Sequence, residues 1–149
     1  FFNRSSVTVI KRIAKVMNFY TIGNAGIVDV DDVVDVLVGL MKSSIKNQRF
    51  ILVAENIKYK DLIQRMAKAL EVKSAKLALS KPLLYSLYIL DKIAYALGLK
   101  KSFLNQATIK SLCSLQKYDG SKIERSLDFN YKSTTETIEE IAAEYHSNP

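Results

Sequence analysis

Apolar residues recur at three- and four-residue intervals along most of this chain, so helices dominate the expected structure. Val7, Ile10, Ile13, Ala14 and Met17 mark a first helix capped by Ser5 or Ser6 and ended at Asn18. Phe19 to Ile22 is a short strand-like run, Gly23-Asn24-Ala25-Gly26 is a turn signal, and Ile27 to Val30 is again strand-like. Asp31 or Asp32 then caps a helix with Val33, Val36, Leu37, Leu40 and Met41 on its buried side. Amphipathic spacing predicts further helices over 59–70, over 82–97 with Pro82 in the first turn and Gly98 at the stop, and over 104–115. A short helix over 120–127 follows. Ser133 or Thr134 caps the last, which runs through Ile138, Ile141, Ala142 and Tyr145.

One segment breaks the helical period. Arg49-Phe50-Ile51-Leu52-Val53-Ala54 is five apolar residues without alternation, the pattern of a strand buried on both faces. Such a strand needs neighbouring strands, and the remaining pattern supplies few. The chain therefore reads as an incomplete architecture, and it opens on Phe1 rather than Met, as a cut piece would. Deprived of partners, an exposed strand 49–54 would pair with a second copy, so a homo-oligomer through this segment is expected.

Composition narrows the class. With 149 residues, 48% hydrophobic and 25% charged, and only 5 Gly and 2 Pro, the sequence excludes disorder, collagen and low complexity and fits one domain or part of one spanning 1–149. Pro82 to Leu90, the longest uncharged apolar stretch, is too short to cross a membrane. A lone Cys113 excludes an internal disulfide, leaving a cytoplasmic location as the expectation. His146 is the only histidine and has no ligand set around it, so no metal is expected. The net charge of +7 is uneven: twelve basic and three acidic side chains lie between Lys58 and Tyr118, while residues 119–149 hold three basic and seven acidic. Because Lys58, Lys60, Arg65 and Lys68 alternate with Leu62, Ile63, Met66 and Ala67, the basic bias reads as a solvated helix face rather than a nucleic-acid surface. Neither a nucleic-acid nor a membrane partner is expected.

Two motifs resemble a known family. Gly26-Ile27-Val28-Asp29-Val30-Asp31-Asp32-Val33 is similar to the strand-to-helix motif of the extended short-chain dehydrogenase/reductases, the NAD-dependent epimerase/dehydratase family. Asp119-Gly120-Ser121-Lys122-Ile123-Glu124-Arg125 with Phe129 resembles the same family's late Asp-Ser-Lys-Ala-Arg motif, with Ser126 and Asp128 where Glu and Gly are usual. Gly26, Asp29, Asp32, Asp119, Ser121 and Lys122 are the motif residues carried over as structural. The resemblance spans Asn3 to Tyr145 and implies an α/β, mostly helical fold: the C-terminal, substrate-side portion of a doubly wound dinucleotide-binding architecture, with few short strands.

That resemblance also says what is missing. No glycine-rich strand-turn-helix that would bind a dinucleotide pyrophosphate is present. Tyr88-Ile89-Leu90-Asp91-Lys92 and Tyr118-Asp119-Gly120-Ser121-Lys122 match the family's Tyr-x-x-x-Lys spacing by coincidence, and read as core and surface. The chain is therefore expected to hold no catalytic and no cofactor-binding residue and to be inactive alone, NAD or NADP belonging to a fuller parent. Ala25-Gly26 stands where nucleotide-sugar enzymes carry Arg-Asp, pointing to the dihydroflavonol reductase and hydroxysteroid dehydrogenase-like branch and a small apolar carbonyl or alcohol. Asn3, Arg4 and Ser5, following the family's nicotinamide-side loop, and Tyr85 and Tyr88, as walls of an apolar cleft, are the candidate substrate-binding residues. The competing reading is a self-sufficient helical interaction module with a basic face.

Overall fold

The computed structural model describes residues 18–99 and 105–147. The expected first helix, with Asn3, Arg4 and Ser5, lies outside them. Among the described residues are four short strands, β1 (Phe19–Thr21), β2 (Asn24–Ile27), β3 (Glu55–Lys58) and β4 (Leu77–Leu79). Six helices accompany them: α1 (Val30–Lys42), α2 (Tyr59–Ala69), α3 (Lys81–Ala96), α4 (Gln106–Leu112), α5 (Ser121–Leu127) and α6 (Thr134–Ser147). The fold is mixed α/β and mostly helical. Its strands form two ladders: β1 pairs parallel with β4, Tyr20 opposite Ala78, and β2 pairs antiparallel with β3, Ala25 opposite Ile57.

The core is divided in the same way. Ile63, Ala67 and Leu70 of the α2 segment pack with Ala75 and with Ala142 of α6, while Leu79, Leu84 and Ile109 join β4, α3 and α4. Ile109 and Ile123 are wholly buried, so each of the short helices α4 and α5 is held by one inward isoleucine.

Several sequence expectations are corrected. Residues 49–54 form no strand: they lead through a bend at Ala54 into β3, which begins at Glu55. Only Ala54 joins the ladder, donating to Ile27 O at 2.8 Å. Upstream, the Lys122 ammonium takes the Arg49 carbonyl at 3.1 Å, and Gly120 presses its backbone against Val53. The strand 49–54 from which pairing between copies was expected is therefore not formed. The turn expected over Gly23–Gly26 narrows to Ile22-Gly23, because Asn24–Ile27 is strand β2. Gly23 sits there because a Cβ would stand 2.5 Å from the Leu112 carbonyl oxygen. Asp29, not Asp31 or Asp32, caps α1, its carboxylate accepting from the Asp31 amide at 2.9 Å, so the helix starts at Val30 where strand was expected. Strand β4 was missed, since three residues carry too little pattern to register.

Burial on α1 also differs. Val36 is buried, but Leu37 is 54% and Met41 85% exposed, and Val30, Val34 and Val38 are exposed as well. This aliphatic side of α1 faces outward. In α3, Leu84 is buried and Tyr85 and Tyr88 are half-buried, whereas Leu87, Ile89, Ile93 and Leu97 are exposed.

Candidate functional site

The two motif segments meet across residues 49–53. On one side a Cβ on Gly26 would lie 3.0 Å from a Val53 methyl and 3.0 Å from the Tyr118 ring. On the other, a Cβ on Gly120 would lie 2.3 Å from Val53 O, a separation no side chain tolerates. Tyr131 closes this node, donating its hydroxyl to Gly120 O at 3.2 Å; burial raises its phenol pKa above the ordinary 10.0. Lys122 lies 4.7 Å from the Phe50 ring centre, and Asp119, one residue before the Gly120 N-cap of α5, accepts from the Ser121 amide at 2.9 Å. Hydrogen bonds from Ser121 lower the Asp119 pKa.

Asp29 and Asp32 form a second node, behind the first. Thr137 Oγ1 donates to Asp29 Oδ2 at 2.6 Å, and the Lys132 ammonium stands 3.7 Å from the same oxygen while also pairing with Glu140. Burial would raise the Asp29 pKa, but the bonds from Thr137, the Asp31 amide and Lys132 outweigh it and the net shift is downward. Asp32 accepts the Lys132 amide at 3.1 Å; burial, with the neighbouring Asp29 charge, pushes its pKa up. This pair ties α1 to the 130–133 loop and α6. Through these bonds the two carboxylates work as a staple.

In front of the first node lies a cleft of about 370 Å³. Asn24, Ala25 and Gly26 of β2 form one wall, Ile51 and Val53 the floor, and Ser111, Ser114, Gln116 and Tyr118 the facing wall, with Tyr59 at its edge. The facing wall is held by two side-chain amides that imitate strand pairing. Asn24 donates to Gln116 O and accepts from Gln116 N, at 2.6 and 2.8 Å; Asn56 does the same with the backbone of Tyr118, both at 2.8 Å. Residues 114–118 thereby extend the β2–β3 ladder without being a strand. The Tyr118 hydroxyl in turn donates to the Gln116 side chain.

Among the described residues the lining contains no Lys, Arg, His, Asp or Glu side chain. The cleft offers amides, hydroxyls and aliphatic surface, which suits a neutral ligand with a few hydrogen-bonding groups. Among the described residues it holds no guanidinium or ammonium of the kind a diphosphate demands. Among the described residues no group of three His, Cys, Asp or Glu side chains is placed to hold a metal.

Of the residues singled out in the sequence, Gly26 lines the cleft. Gly120 supports it from below, while Asp29, Asp32, Asp119, Ser121 and Lys122 brace the surrounding backbone. Tyr85 and Tyr88 do not reach it: they pack on Leu79, Leu84 and Ile109, with Lys92 5.5 Å from the Tyr88 ring centre. Asn24, Asn56, Ser111, Ser114 and Gln116 were missed. A signal existed for two of them, because asparagine is depleted in strands and needs a reason to be there; the serines and glutamine carry no such mark.

No family model matches the chain, and no curated protein matches it. Among solved structures, the crystal structure of gox2253 is similar, with a TM-score of 0.78 at 20% sequence identity. The superposition covers 97% of this chain and 44% of that one, so the chain spans less than half the length of the protein it resembles. At this identity the likeness is one of fold.

Proposed function

We propose that the chain is the substrate-side, C-terminal portion of an NAD(P)-dependent oxidoreductase of the extended short-chain type, acting on a small, largely apolar carbonyl or alcohol. The observation that carries this reading is the convergence of both motif glycines, Gly26 and Gly120, on Val53, 27 and 67 residues distant in sequence. Two motifs that resemble one family, far apart in the chain, build one uncharged cleft. Support also comes from α1, whose outward aliphatic side, Val30, Val34, Leu37, Val38 and Met41, is where a nucleotide-binding half would pack. The larger size of gox2253 is compatible with such a second half.

In this reading the dinucleotide and the proton-transferring pair belong to the other half, and these residues shape the pocket that receives the carbonyl or alcohol. Among the described residues the lining holds no cationic side chain, which supports an uncharged substrate over a nucleotide sugar.

Calorimetric titration of the 149-residue chain with NAD⁺, NADP⁺ and their reduced forms is expected to give no heat of binding. Small aromatic ketones and alcohols should instead perturb the fluorescence of Tyr59 and Tyr118 at the cleft. Tight dinucleotide binding by this chain would overturn the reading, as would a cleft that binds nucleoside diphosphates in preference to neutral ligands.

A further inference from the structure

Gln116 and Tyr118 both line the cleft, and their neighbours fix what each can offer a ligand. The backbone N–H and C=O of Gln116 are spent on the Asn24 amide, and those of Tyr118 on the Asn56 amide. Only the two side chains are left for a ligand. The Tyr118 hydroxyl donates to Gln116 Oε1. A phenol carries one proton, so this bond commits the hydroxyl as a donor and occupies the carbonyl end of the Gln116 amide. The Nε2 end, with its two N–H groups, is what Gln116 has left to offer. Donation to the carbonyl also polarises the amide and makes those N–H groups stronger donors. The Tyr118 ring is itself seated by Gly26, where a Cβ would come within 3.0 Å of it.

We infer that Gln116 selects ligands by an acceptor oxygen, with Tyr118 as the positioning residue that holds its amide in the donating sense. The inference rests on the reading of the cleft as a substrate pocket, and adds to it the feature recognised there. Ala25, Ile51 and Val53 make the rest of the lining aliphatic around this pair, so the ligand that fits carries an oxygen acceptor at one end and an apolar body across the floor. A carbonyl or hydroxyl oxygen satisfies the donor. An ammonium of the same shape can only donate, and sets its charge against the Gln116 N–H groups. The Ser111 and Ser114 hydroxyls rotate to donate or accept, so they do not discriminate between the two.

Acetophenone and α-methylbenzylamine share a carbon skeleton and differ in the polar group, and titrating each into the isotope-labelled chain near neutral pH, followed by nuclear magnetic resonance, tests the inference. Acetophenone is expected to move the backbone amide signals of Ala25 and Gly26 together with the side-chain amide signals of Gln116. The amine, an ammonium at this pH, is expected to bind at least about tenfold more weakly. Gln116→Glu keeps an acceptor for the Tyr118 hydroxyl but replaces the donor by a negative charge, so it should weaken acetophenone about tenfold and reverse the preference. Tyr118→Phe retains the ring on Gly26 and releases the amide, for an expected weakening of about threefold, and it stands in if circular dichroism shows Gln116→Glu unfolded. Equal affinity for acetophenone in the parent and the folded variants would overturn this inference alone. So would equal affinity of the parent for ketone and amine, or a ketone that moves the Gly26 signal and leaves the Gln116 side chain unmoved. If acetophenone moves neither Ala25 nor Gly26 in the parent, the pocket reading fails and this inference with it.

Discussion

Gly120 and Val53 approach so closely that the backbone of one occupies the space a side chain on the other would need: a Cβ at 120 would stand 2.3 Å from Val53 O and 3.1 Å from Val53 N. Backbone cannot yield as a side chain end can. Gly120→Ala is therefore expected to destabilise by about 3 kcal/mol or more, at or above the top of the usual overpacking range. Gly98 is the contrasting case, with φ at +70° and, among the described residues, nothing within 4 Å of its would-be Cβ. There alanine meets only left-handed backbone strain, and a loss of about 1 kcal/mol is expected. Thermal melts of the two variants give the comparison, and equal losses would refute the packing argument.

The two buried carboxylates of the staple should respond unequally to amidation. Asp29→Asn weakens the charge-assisted bond from Thr137 and the attraction of Lys132, for an expected loss of about 2 kcal/mol. Asp32→Asn keeps an acceptor for the Lys132 amide and removes a buried charge, so stability should stay within about 1 kcal/mol of the parent at neutral pH.

Their pH dependences differ in sign. Asp29 holds its proton more weakly folded than unfolded, so its stabilisation is complete above the unfolded value of 3.8 and drains away as acid carries the pH down through the lower folded value. Asp32 is raised, so its cost is absent below 3.8 and grows as the pH climbs through the folded value. Denaturant midpoints between about pH 3 and 7 should lose part of their acid slope in Asp29→Asn, and should rise relative to the parent in Asp32→Asn only at the upper end.

Asn24 and Asn56 fasten residues 114–118 to the β2–β3 ladder. Each alanine substitution should cost about 1 kcal/mol, since the bonds are exposed and each variant loses a donor and an acceptor together. The larger effect should fall on the cleft. Hydrogen exchange at the Gln116 and Tyr118 amides, which donate to these side chains, should accelerate in Asn24→Ala and Asn56→Ala respectively. Ligand-induced tyrosine fluorescence changes should shrink in both.

The outward side of α1 gives a test of the proposed second half. Leu37→Glu places a charge on a residue already 54% exposed, so the isolated chain should keep its melting temperature within about a degree or two. A separately produced nucleotide-binding half should bind the unaltered chain and fail to bind this variant. Equal binding by both would remove α1 as the contact.

Helix content, the positions of α2, α3, α5 and α6, and the mixed α/β class were legible in the sequence, because each helix carries its own period and its own inward residues. Ile63 with Ala67, and Ile138 with Ala142, declare a buried face from four-residue spacing alone. Residues 49–54 were misread for the complementary reason: an unbroken apolar run reports burial but not what its backbone bonds to. Whether that backbone meets another strand, the Lys122 ammonium or the close approach of Gly120 depends on segments some seventy residues away, which only the folded chain brings near. The cleft was hidden likewise. Its wall is set by Asn24 and Asn56 clasping backbone 92 and 62 residues downstream, and no local pattern encodes a contact between a side-chain amide and a distant peptide group. Local periodicity thus determined the helices, while long-range hydrogen bonding and the absence of two side chains, at Gly26 and Gly120, decided where the cleft would open.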